Sequence, residues 1–319
     1  MKNQGRSIRL FLVDGLPTGL LTAEIVNWTG HALTGPRSRL GDLLKRPECS
    51  RTGVYFLVGP DPDNPMRSQI YIGESDDVAT RLKQHNRPED KGGKDFWERV
   101  CLVTSKDQNL TKAHVKYLEA RLISIASKSG GALMNGTAHD YDMLPESDRS
   151  DMAYFVEQIR TILPVLGFDF LRDQQKLIEQ LHQQQAQQQP AAVFVMEIPK
   201  YGIQAEAREV DGEFVVLAGS LARDHWASSS HYTSYQPLYN ELRESGVLGA
   251  AGKGHVCFTR DHVFSSPSAA AAVVAGRSAN GRTTWLEKDS RMTYGDWQSA
   301  QIEQQAPTDL PADQMPAMG

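Results

Sequence analysis

The sequence predicts a mixed α/β chain: a small three-stranded sheet flanked by helices, an N-terminal αβ extension, and a separate C-terminal α+β domain. Three observations predict it. Two apolar runs of strand length, residues 53–58 (GVYFLV) and 69–73 (QIYIG), flank a Pro/Asp/Asn-rich loop. A glutamine-dominated stretch at 173–190 (DQQKLIEQLHQQQAQQQP) separates halves of different charge balance. With 319 residues the chain is long enough for two domains of ordinary size.

The elements follow in order. Residues 8–13 and 20–26 read as strands around a Gly-Leu-Pro-Thr-Gly turn, and 39–45 as a short helix, forming the extension 1–50. Residues 51–146 form the next domain. After its first two strands, Ser75-Asp76-Asp77 starts a helix through Val78, Leu82 and His85. Residues 96–104 (FWERVCLVT) make a third strand, and a longer helix runs from about Asn109 to about Lys128, stopped by Ser129-Gly130-Gly131. Residues 147–190 hold a helix at 150–165 and the Gln-rich linker.

The second domain spans 191–300. Asp211-Gly212 between apolar runs at 205–210 and 213–218 signals a hairpin. Ser265-Ser266-Pro267 opens a helix at 269–274 that Gly276 ends, and Asn280-Gly281 makes a further turn before 283–285. Residues 301–319 read as a disordered tail.

Composition narrows the class. No apolar run approaches the roughly 20 residues of a membrane-spanning helix, and the N-terminus lacks a signal-peptide hydrophobic region. Cys49, Cys101 and Cys257 are far apart and lack CxxC spacing, so they read as unpaired thiols in a reducing, cytoplasmic compartment, without zinc. Residues 1–146 carry 20 Lys/Arg against 18 Asp/Glu, and 147–319 carry 14 against 21. The positive bias of the first part suits contact with phosphates, and a solvated mixed surface explains it equally well.

Gly53-Val54-Tyr55 and Tyr71-Ile72-Gly73, followed in order by Arg81, His85, Glu119 and Asn135, resemble the signature of the GIY-YIG nuclease family, with Val54 in place of the usual Ile. The resemblance implies a divalent-metal-dependent endonuclease acting on DNA, and RNA fits the same chemistry. The run SPSAAAAVVAGRSANGRTTW resembles a domain of unknown function that often accompanies bacterial GIY-YIG domains, and it carries no chemistry of its own. The 1–50 and 191–300 segments are then the places for target selection or regulation.

Phosphodiester hydrolysis requires an activated water, a grip on the phosphate and neutralisation of developing charge. Glu119 is the only acid in its helix and lies at the edge of the stripe Val115, Leu118, Leu122 and Ile125. A hard cation, Mg²⁺ or Mn²⁺, explains a carboxylate there. An ion pair with Lys116 is the alternative from the helix alone, and the motif order favours the metal ligand.

Arg81 and His85 are four apart and share a helix face with Val78 and Leu82. The arginine fork matches phosphate oxygens, and the resemblance makes Arg81 the phosphate grip and His85 a proton donor or acceptor. A lone histidine on such a face also serves structural roles. Tyr55 and Tyr71 come from neighbouring strands, and either suits the general base if a cation lowers its pKa from about 10. Gly53, Gly73 and Asn135 are supporting residues, Asn135 as the asparagine that braces the site, although Asn-Gly is also a turn signal. Some family members carry a further basic residue before the third strand. Lys91 and Lys94 are available here and receive no role.

No phosphate-binding GxxxxGK[ST] loop, HExxH or GxSxG is present. In the second domain, Trp226, Tyr232, Tyr235 and Tyr239 interleave with Arg223, His225, His231 and Arg243. They suit either base stacking or a buried aromatic cluster. Two rival functions use the same sequence: a non-catalytic nucleic-acid binder on the GIY-YIG fold, and a protein-interaction module built on the Gln-rich linker and acidic second domain, its protein partners unidentified.

Overall fold

The computed structural model describes residues 5–62, 64, 67–129, 132–135, 141, 143–171, 178–179, 181–182, 192–210, 212–227, 235–252 and 254–305. The chain divides into two compact units, Met1–Gln174 and Gln175–Gly319.

The first unit is built on one seven-stranded sheet. Its strands are β1 (Ile8–Leu12), β2 (Leu21–Ile25), β3 (Gly30–Pro36), β4 (Gly53–Pro60), β5 (Ser68–Ser75), β6 (Arg99–Ser105) and β7 (Ala132–Leu133), in the order β1-β2-β3-β6-β4-β5-β7. All neighbours pair antiparallel except β5 and β7.

The three expected strands are neighbours at β6-β4-β5, but the small three-stranded sheet is corrected to the middle of a larger one. The segment 1–50 is likewise no separate extension, because its strands continue the same sheet. The reason lies in β6. Residues Val100–Ser105 are buried, so that strand cannot form an open edge, and β3 pairs with it over seven residues. The sequence reading missed β3 because Gly30, Gly35 and Pro36 punctuate it like a loop.

Each sheet face has its own core. On one, Tyr55, Leu57 and Leu102 pack with Leu33, with Leu40 and Leu43 of α1 (Leu40–Leu43), and with Val78 and Leu82 of α2 (Val78–His85). On the other, Val54, Phe56, Ile70 and Ile72 pack with Val115, Leu118 and Leu122 of α3 (Lys112–Ala126). The same core takes in Phe155, Ile159 and Ile162 of α4 (Glu146–Val165). Buried on both sides, β4 reads as a continuous apolar run.

Helix starts follow their caps. The Asp77 side chain, not Ser75, caps α2 by accepting from the Thr80 amide at 3.2 Å. Thr111 caps α3 in a capping box with His114, three residues into the helix, so α3 begins after Asn109.

The second unit holds a five-stranded sheet, β14-β10-β9-β8-β15, and a three-stranded one, β11-β13-β12. Its strands are β8 (Val193–Ile198), β9 (Ile203–Val210), β10 (Glu213–Val216), β11 (Leu221–Arg223), β12 (Leu248–Gly252), β13 (His255–Phe258), β14 (His262–Phe264) and β15 (Leu286–Glu287). Its helices are α5 (Gln236–Glu244), α6 (Pro267–Ala275), α7 (Gly281–Thr284) and α8 (Tyr294–Gln305).

The Asp211-Gly212 hairpin joins β9 to β10, with Asp211 itself outside the described residues. Helix α6 is capped by Ser266 and ended by Gly276 at φ 60°, as its pattern predicts, and Ala269 to Ala275 are all buried. Two segments differ from expectation. Leu181, in the predicted linker, is buried with Val210, Val215 and Val263, while most of 173–190 lies outside the described residues. The expected tail is helical to Gln305, and 306–319 lie outside. Among the described residues, no helix is long and apolar enough to cross a membrane.

Candidate active site

The β4–β5 register sets Tyr55 opposite Gly73 and Leu57 opposite Tyr71. The two tyrosines are therefore diagonal neighbours on one face, with ring centroids 6.3 Å apart. Both motif glycines answer to close approach. A Cβ on Gly73 would lie 2.3 Å from the Tyr55 hydroxyl, so the glycine leaves room for that ring. A Cβ on Gly53 would lie 2.6 Å from the Val103 carbonyl oxygen, against which β4 packs.

Val78 and Leu82 seat α2 on the same face, and its Arg81 and His85 follow. The Tyr55 hydroxyl and His85 Nε2 are 2.8 Å apart, and the His85 ring meets Tyr71 edge-on at 5.1 Å. Both Tyr55 and His85 are buried. Burial, with Arg81 and Lys94 nearby, lowers the His85 pKa to about 4, so the imidazole is neutral at pH 7. Burial raises the Tyr55 hydroxyl above the usual phenol range, Tyr71 adds to this, and Arg81 opposes it. Tyr55 is thus a protonated phenol, and its O–H donates to His85 Nε2 in the Nδ1–H tautomer of the neutral imidazole.

Burial pulls the Arg81 pKa down, but its interactions with the Tyr55 and Tyr71 hydroxyls more than offset it. Arg81 Nη1 also donates to Gln84 Oε1 at 2.7 Å. Lys94 completes this side. Its Nζ lies 4.3 Å from the Tyr71 ring centre, and its amide donates to the His85 carbonyl at 2.8 Å. The sequence reading left Lys94 unassigned. Its signal was its place between His85 and the third strand, a stretch whose basic residues are Arg87, Lys91 and Lys94.

Glu119 arrives from α3 at the outer edge of β5. Along that edge the Met134 amide donates to the Ile70 carbonyl at 2.7 Å. One step on, the Asn135 side chain substitutes for a strand, accepting from the Ile72 amide at 2.8 Å and donating to its carbonyl at 2.6 Å. One step further, the Glu74 backbone favours the charged form of the Glu119 carboxylate. Asn135 therefore braces the strand between Tyr71 and Gly73, and Gly136 lies outside the described residues.

Burial and the Glu74 carboxylate raise the Glu119 pKa to about 7, against the Glu74 backbone, Lys112 and Arg81. Lys112 is engaged by Glu74 at 2.7 Å and Asp76 at 3.3 Å. Lys116 lies 5.9 Å from the Tyr141 ring centre, and no Lys116–Glu119 ion pair forms among the described residues.

Among the described residues, no group of three or more His, Cys, Asp or Glu side chains is placed to hold a metal. The fit is of another kind: one half-buried carboxylate that holds its charge at a cost. That suits Mg²⁺ or Mn²⁺, which keep waters and substrate phosphate as most of their ligands.

The His85 pKa carries a stability prediction. It is depressed in the folded state, so its contribution is complete above about pH 6.5 and is lost as pH falls toward 4. That loss reaches about 3 kcal/mol from the size of the shift. Urea unfolding of wild type and His85→Gln at pH 7.5 and pH 4.5 checks it. The wild-type advantage should shrink by most of that amount, and an equal gap at both pH values contradicts it.

Residues 194–298 match the family described as a domain of unknown function (DUF4357). The match lies within the second unit and agrees with the resemblance read from SPSAAAAVVAGRSANGRTTW. No curated protein and no solved structure matches the chain.

Proposed function

We propose that the first unit is a divalent-cation-dependent endonuclease of the GIY-YIG type that hydrolyses DNA phosphodiesters. One observation carries this reading: Tyr55, Tyr71, Arg81 and His85 converge on one sheet face, with the Glu119 carboxylate at the adjoining edge.

Arg81 grips the scissile phosphate and neutralises charge as it develops. Tyr55 relays a proton. Its oxygen accepts a proton from the attacking water while its own passes to His85 Nε2, so no buried phenolate accumulates. The imidazolium formed is disfavoured by Arg81 and Lys94 in the free protein. A bound phosphate offsets those cations and makes His85 a better acceptor when substrate is present. Glu119 would hold Mg²⁺ or Mn²⁺, which supplies Lewis-acid neutralisation when bound. Asn135 keeps β5 in place, and Gly53 and Gly73 keep the strands and the Tyr55 ring at the required spacing. A reducing, cytoplasmic location accompanies the reading, since Cys49, Cys101 and Cys257 are free thiols.

End-labelled single-stranded DNA, duplex DNA and RNA, incubated with the protein and Mg²⁺ or Mn²⁺, test the assignment. Cleavage of a DNA substrate is expected, absent with EDTA and reduced about 10²–10³-fold in Tyr55→Phe. Cleavage that persists in EDTA, or none with any substrate, contradicts it and favours a binding or protein-interaction role.

A further inference from the structure

The second unit holds a residue group that the nuclease chemistry leaves unused. Arg223 ends β11, and the register sets it opposite His255, the first residue of β13. The turn after β8 brings Tyr201 beneath Arg223, whose guanidinium carbon is 4.5 Å from the ring centre. His255 Nε2 hydrogen-bonds to the Tyr201 carbonyl. Arg223 Nη2 lies 2.8 Å from His225 Nε2, and His225 Nδ1 holds the Asp224 carboxylate. From α5, Arg243 Nη1 donates to the Asp224 carbonyl at 2.9 Å, and the Tyr239 hydroxyl donates to the Arg223 carbonyl at 2.7 Å. Lys200 Nζ stands 5.4 Å from the Tyr201 ring centre.

The charge pattern is unusual for this half of the chain. Residues 147–319 carry 21 Asp/Glu against 14 Lys/Arg, so carboxylates are plentiful. Other cations here take them, as in Lys288–Glu206 at 2.8 Å and Arg291–Glu197 at 3.2 Å. Among the described residues, Lys200, Arg223 and Arg243 form no ion pair, and the nearby Asp224 is already bound by His225. Lys200 and Arg223 stand over a ring that is 38% exposed, Arg243 lies beside Asp224, and these three cations outnumber that one carboxylate, which leaves a local positive excess on an acidic domain. Arg223 is also fixed in advance by the ring below it and the imidazole beside it.

We propose that Lys200, Tyr201, Arg223, His225 and Arg243 form a binding surface for single-stranded nucleic acid. Lys200 and Arg243 meet backbone phosphates, while the Tyr201–Arg223 stack offers a flat platform to a base. Base faces are open only in an unpaired strand, which favours single-stranded over duplex ligand. The surface shares no residue with the proposed nuclease site, so either reading can fail without the other.

Fluorescence anisotropy tests it, using the full chain in EDTA with a labelled oligothymidylate and, separately, a labelled duplex at low and physiological salt. Tyr201→Ala should weaken binding roughly ten-fold through lost stacking. Lys200→Glu with Arg243→Glu should lower the slope of log affinity against log salt by about 1.4, at about 0.7 for each lost phosphate contact. Lys200→Glu alone, at a side chain whose only described contact is with Tyr201, should give about half that change while unfolding like wild type. Wild-type affinity and salt slope in all three variants overturn the proposal. So does a loss confined to duplex DNA.

Discussion

Glu119→Gln is expected to abolish metal-dependent cleavage and, in metal-free protein at pH 8, to raise stability. Glutamine keeps the shape and an oxygen acceptor for the Glu74 backbone. It removes the one charge that would hold a divalent cation, and losing an essential charge-stabilising element costs about 10²–10³ in rate or more.

The gain in stability follows from the raised pKa. A carboxyl whose folded pKa is about 7 binds its proton more tightly folded than unfolded. Its ionised form therefore weakens the fold progressively from about pH 4.5 to 7, and the penalty stays constant above that range. The cost is on the order of 1–3 kcal/mol after allowing for the residue's partial exposure. Glutamine carries no such penalty. Thermal unfolding at pH 5 and pH 8 checks it: the variant should match wild type at the lower pH and exceed it at the higher. A variant that cuts DNA at near the wild-type rate contradicts the metal assignment. A variant that is inactive because it is less stable at pH 8 contradicts the account of the buried charge.

Arg81→Lys is expected to be nearly as inactive as Arg81→Ala. The guanidinium donates to Gln84 and is held charged by the neighbouring Tyr55 and Tyr71. An ammonium is a point charge and cannot reproduce that planar fork on a phosphate. DNA affinity should fall little in the lysine variant, so the loss should appear in turnover under saturating DNA. Recovery of wild-type turnover by lysine would reduce Arg81 to a general electrostatic contact. Because Arg81 also depresses the His85 pKa, Arg81→Ala should move the His85 titration upward, readable by NMR.

Much of the site was legible in the sequence because its signals are local. The paired Gly/Tyr tripeptides fix the face and spacing of Tyr55 and Tyr71, and the four-residue step places Arg81 with His85. The Ser266-Pro267 start and Gly276 stop of α6 were equally local. What escaped depends on partners far along the chain. The strand at Gly30–Pro36 exists because β6 requires a neighbour, and its own Gly and Pro conceal it. Lys94 matters through the ring of Tyr71, a contact that no spacing rule reports. Leu181 reads as part of a polar linker until Val210, Val215 and Val263 are seen around it.

The most direct measurement is nicking of supercoiled plasmid by the purified full chain, with Mg²⁺ or Mn²⁺ and with EDTA, beside Arg81→Ala prepared in the same way. The account predicts nicked and linear DNA from the wild type with metal alone, and intact plasmid from the variant. Intact plasmid with folded, DNA-binding wild type under every metal condition would contradict it, as would equal nicking by Arg81→Ala.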